Sequence, residues 1–76
     1  MSSLTPLSWQ KLICVFGQIG YTMTGQKGRH VKMEKAGTPR PLIIPRYSDI
    51  DPDVTRNLIR TAGILHEAFL ALLEHC

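Results

Sequence analysis

The stretch Gly25-Gln26-Lys27-Gly28-Arg29-His30-Val31-Lys32-Met33 decides how the rest of this chain is arranged. Two glycines three residues apart permit a tight turn and a close backbone approach to a ligand, because neither carries a Cβ. From His30 onward the pattern alternates. Val31 and Met33 fall on one side and His30, Lys32 and Glu34 on the other, the period-two signature of a strand with one buried face. His30 and Lys32 therefore share the outward face, and Lys27, Arg29 and Lys32 surround His30 with positive charge.

Working outward, Tyr21-Thr22-Met23-Thr24 is a β-prone run ending at Gly25, so Gln26 to Arg29 are expected to reverse the chain into a strand from His30 to Lys35. The two strands should pair antiparallel. Ala36-Gly37-Thr38-Pro39 has loop composition, and Pro41-Leu42-Ile43-Ile44-Pro45 reads as a third strand whose prolines suit its ends or an edge.

Helices flank this meander. Leu7 and Leu12 bracket a Ser8 N-cap at the spacing of a hydrophobic staple, predicting a helix from about Trp9 to Ile19 that stops at Gly20. Leu12, Val15, Phe16 and Ile19 form its core stripe, with Trp9 on the flank and Cys14 opposite. Asp51, Pro52 and Asp53 announce a second helix that ends at Gly63, with Val54, Leu58 and Ala62 inward and Arg56 and Arg60 outward. A last helix, about His66 to Glu74, places Leu65, Ala68, Phe69 and Leu72 on one face. The expected class is α+β: an antiparallel three-stranded sheet with helices on one face and the other face open.

With 76 residues there is room for one small domain. A 43% hydrophobic content, 20% charged content and mean hydropathy of −0.03 fit a soluble globular chain. No apolar run approaches the roughly 18–20 residues of a membrane span, so no membrane partner is expected. The start, Met1 to Pro6, lacks the charged and apolar regions of a signal peptide, which makes the cytoplasm the default address. Cys14, in a helical pattern, and Cys76 are expected to be free thiols. The net charge of +3 favours anionic partners, and six of the nine cationic residues lie between Lys27 and Arg46.

An imidazole can take a proton from an RNA 2′-hydroxyl or return one to a leaving 5′-oxygen, while nearby cations stabilise charge on phosphorus. His30 with Lys27, Arg29 and Lys32 supplies both parts. A strand-start histidine that only hydrogen-bonds locally fits the same residues, and they do not decide between the two. Arg46 can extend a phosphate-contacting surface, and Tyr47 beside it can stack on a base. A packed or capping tyrosine fits equally. His66, His75 and the cysteines form no ligand-spaced metal set, and helix capping accounts for Asp51 and Asp53.

With the basic turn, His30 and the element order established, the chain resembles the HicA-type toxins, small bacterial mRNA interferases with a double-stranded-RNA-binding-domain-like fold. The resemblance runs from about Leu7 to Ile64. Gln26 to Met33 is similar to the family's glycine–serine–histidine signature entering the second strand. Leu7-Ser8, Ile19-Gly20-Tyr21, Ile43-Ile44-Pro45 and Arg56 to Gly63 follow in the family's order.

The resemblance implies a single domain over residues 1–76, with a core of about 7–64 and a C-terminal helix of about 65–75. It further implies a metal-independent endoribonuclease without cofactor, the toxin of a type II toxin–antitoxin pair, acting on mRNA and silenced by a HicB-type antitoxin. His30 would be the catalytic residue and Gly28 would be kept for the tight turn. Arg29 stands where the family usually has serine, adding charge. Tyr47 stands where a histidine often follows the third-strand proline, which leaves a one-histidine mechanism. A non-catalytic RNA-binding module of the same fold and a protein-interaction domain are the alternatives.

Overall fold

The computed structural model describes residues 4–76, so Met1 to Ser3 of the leader reading lie outside the described residues. Along the chain run α1 (Trp9–Gln18), β1 (Thr22–Lys27), β2 (His30–Glu34), β3 (Leu42–Pro45), α2 (Pro52–Ala62) and α3 (His66–Leu73). The strands form one antiparallel sheet in the order β1-β2-β3. This is the α+β arrangement that the hydrophobic patterning predicts, and it is consistent with the double-stranded-RNA-binding-domain-like fold that the resemblance implies.

Local chemistry accounts for each boundary. The Ser8 hydroxyl accepts from the Lys11 N–H at 3.3 Å, satisfying one orphan donor at the start of α1. Asp51 does the same for α2, accepting from the Asp53 N–H at 2.8 Å with Pro52 opening the first turn. Gly63 closes α2 in the left-handed conformation at φ 75°, donating to Ile59 and Arg60. Ile19, expected as the last residue of α1, is its C-cap.

The core lies between one sheet face and the helices. Val31 and Met33 of β2 and Leu42 and Ile44 of β3 meet Leu12, Val15 and Phe16 of α1 and Leu58 and Ile59 of α2, all buried. Phe16 is the hub, with ring centres 6.1 Å from Tyr21 and 5.9 Å from Phe69. A further seam ties the two ends of this layer: Ile50 donates to the Leu7 carbonyl at 2.7 Å, and the Trp9 N–H donates to the Tyr47 carbonyl at 3.0 Å.

The structure corrects four sequence expectations. β1 does not end at Gly25 but continues to Lys27, past a bulge between Met23 and Gly25, so only Gly28 and Arg29 form the turn. Main-chain pairing with β2 outweighs the local turn signal of the glycine. On α2 the buried residues are Thr55, Leu58 and Ile59, with Val54 and Ala62 half-buried. On α3 only Phe69 is buried and Leu65 is 73% exposed, because this helix leans on α1 rather than spanning the sheet.

The fourth correction concerns the cysteines. Cys14 and Cys76 are joined in a disulfide with Cα atoms 6.0 Å apart, not left as free thiols. Cys14 does face away from the core, as its place opposite the apolar stripe requires, but α3 folds back along that flank. There Lys11 Nζ donates to the Cys76 backbone oxygen at 2.7 Å and Gln18 Nε2 to the Leu72 carbonyl at 3.0 Å. Polar side chains of α1 thus tie down the end of α3 and the residues that follow it, the Leu72 carbonyl accepting from the His75 N–H as well.

Candidate nucleic-acid interface

The site is assembled by a two-residue hairpin. Gly28 holds φ 57° at the first central position and Arg29 has negative φ, the combination of a type II′ turn matched to the strand twist. Lys27 and His30 flank the turn and pair across it, and His30 pairs in turn with Pro45 of β3. One row across the open sheet face is therefore Lys27, His30 and Pro45. Two residues further along, the next row is Gly25, Lys32 and Ile43.

Lys27 and His30 of the first row and all three residues of the second, Gly25, Lys32 and Ile43, line a recess of about 630 Å³. His30, Lys27 and Lys32 are exposed, so their polar ends reach solvent or a ligand without rearrangement. Lys32 also lies 3.9 Å from Glu34, a half-exposed pair that contributes little and leaves the ammonium available.

Of the residues singled out from sequence, Lys27, His30 and Lys32 are brought together at this recess. Gly28 and Arg29 form the turn at its end. Arg46 and Tyr47 do not line it. They are linked to the turn through the backbone, where the Arg46 N–H donates to the Arg29 carbonyl at 2.6 Å and extends the β2–β3 ladder by one residue. The Arg46 guanidinium lies over the Trp9 ring, 4.8 Å from its centre, which fixes one face of that cation on an aromatic surface. Tyr47 is 45% exposed.

Sequence reasoning missed Ile43, misplaced Gly25 and did not foresee that Trp9 meets Arg46. Ile43 is 48% exposed on the open face. The signal was present: in Leu42-Ile43-Ile44 the period of two allows only the outer pair to face the core together. Gly25, expected to end its strand, lies inside β1, while Trp9 is half-buried at the flank of the core, as expected, and faces Arg46. Among the described residues no group of three or more His, Cys, Asp or Glu side chains is placed to hold a metal ion. No helix among the described residues is long and apolar enough to cross a membrane.

An open antiparallel three-stranded sheet with helices on its other face defines a small α+β domain with a double-stranded-RNA-binding-domain-like arrangement. Residues 9–64 match the family model described as the HicA toxin of bacterial toxin–antitoxin systems, well over half of the chain. The chain belongs to the HicA toxin family, which makes it a toxin component whose implied partner is an antitoxin. No curated protein and no solved structure matches it significantly.

Proposed function

We propose that this toxin is an mRNA interferase, a metal-independent endoribonuclease in which His30 transfers the proton. The observation that carries this is the convergence of Lys27, His30 and Lys32 on one recess of the open sheet face. The 2′-oxygen of the substrate forms a bond to phosphorus and the bond from phosphorus to the 5′-oxygen breaks, leaving a cyclic phosphate. His30 takes the 2′-hydroxyl proton and returns it to the departing 5′-oxygen. Lys27, Arg29 and Lys32 stabilise the charge that accumulates on the phosphoryl oxygens, and Arg46 and Tyr47 contact the flanking strand. Gly28 holds the turn close enough for this approach. A HicB-type antitoxin silences the enzyme by laying acidic surface over His30 and its cations.

The test is cleavage of RNA in excess chelator by the parent protein and by His30→Ala, with both shown to be folded. The parent should cleave, the variant should not, and added antitoxin should stop the reaction. An obligatory divalent cation, or equal cleavage by the variant, would sink the mechanism. Absence of cleavage by both, with salt-sensitive RNA binding retained, would leave a non-catalytic RNA-binding module.

A further inference from the structure

The row formed by Gly25, Lys32 and Ile43 has features that the fold itself does not require. Gly25 sits inside a strand, where glycine is unfavourable. Its φ is not in the left-handed region, unlike those of Gly20, Gly28, Gly37 and Gly63, so no backbone conformation demands it. A Cβ built on Gly25 would meet only the Lys32 Cβ at 3.8 Å, an ordinary contact, so no internal neighbour demands it either. What the missing side chain does leave is space, on the floor of the recess.

Across β2 from that space stands Ile43, a large apolar side chain nearly half exposed, with Lys32 between them. An apolar wall, a bare backbone floor and a ring of cations suit a ligand that is flat and apolar on one side and anionic on another. A nucleotide has this character. Rows two residues apart on a strand are about 7 Å from each other, so a phosphate at His30 places the adjoining nucleoside over the Gly25 row.

We propose that Gly25 and Ile43 form a nucleoside subsite that takes the unpaired base next to the phosphate held at His30. The assignment rests on the ribonuclease reading above and deepens it: the substrate is single-stranded at this nucleotide. A base within a duplex has both faces stacked and cannot lie against Ile43, whereas an unpaired base of any identity can. Little discrimination among the four bases is expected here, since apolar contact with a ring face reads no hydrogen-bonding edge.

The experiment measures affinity for a fluorescent 2′-O-methyl oligoribonucleotide, which lacks the nucleophilic hydroxyl and is not cleaved, using Gly25→Val and Ile43→Ser. Valine at position 25 suits a strand and its Cβ meets only the Lys32 Cβ, at an ordinary 3.8 Å, and Ile43 is exposed on an edge strand, so both variants should fold; thermal melts check this. Each variant should weaken single-strand binding about fivefold or more, with the salt dependence of binding and the affinity for blunt RNA duplex unchanged. Unchanged single-strand affinity in both variants would overturn the subsite, as would a parallel loss for duplex. Loss of antitoxin affinity alone would assign the recess to the protein partner and overturn it too. Failure of the parent to cleave, with this pattern of binding kept, would remove the nuclease mechanism and leave the subsite standing.

Discussion

Thr55 is fully buried on α2, and its hydroxyl has no hydrogen-bond partner among the described residues. A buried hydroxyl without a partner carries its desolvation cost uncompensated. Thr55→Val is therefore expected to stabilise the protein by about 1 kcal/mol, read as a higher urea midpoint at unchanged slope. A lower midpoint would mean that the hydroxyl finds a partner in solution. At this scale the facing of the β2 side chains was legible in advance. Alternation from His30 to Glu34 put His30 and Lys32 on the outward face, and burial along β2 follows that alternation without exception. Gly25 was less legible, because a glycine that ends a strand and a glycine that leaves room within one look alike until pairing partners are known.

Among the elements, α3 departs furthest from its sequence pattern. Its apolar residues suggested a helix lying on the core, yet it inserts Phe69 beside Phe16 and otherwise follows α1. It also lies beyond residues 9–64, the part that matches the family model. The disulfide closes 62 residues of sequence, and limiting the unfolded chain by a loop of that length is worth about 4 kcal/mol in a chain-entropy account. Cys14→Ser should lower stability by up to that amount, and reductant should bring the parent to the same level while leaving the variant unmoved. Equal stability of oxidised parent and variant would show that α3 is held by Phe69, Lys11 and Gln18 alone. The pairing could not be read from the sequence, since helical periodicity tells which way Cys14 faces but not which distant element arrives there.

For the whole molecule, the decisive property is that the helices cover one sheet face and leave the other to solvent, with Lys27 and Lys32 on the open face and Arg29 in the turn at its end. Phosphate contacts release counterions, so RNA affinity should fall steeply with salt. Lys27→Ala should weaken binding of all sequences alike and flatten the logarithmic salt slope by about one. An unaltered slope would place Lys27 outside the contacted surface. The overall architecture was legible because capping residues, strand alternation and turn residues agree along the chain, from Ser8 to Gly63.

A three-stranded sheet leaves both outer strands unpaired, which invites other chains to extend it. Here each border is spoiled by a different device. β3 spans only four residues, with Pro41 before it and Pro45, which offers no N–H, as its last residue. β1 is longer, but the irregularity between Met23 and Gly25 interrupts the straight run of donors and acceptors that an incoming strand would need. The same bulge that sets Gly25 in register with Lys32 thus also guards a basic, sticky little protein against fibre growth.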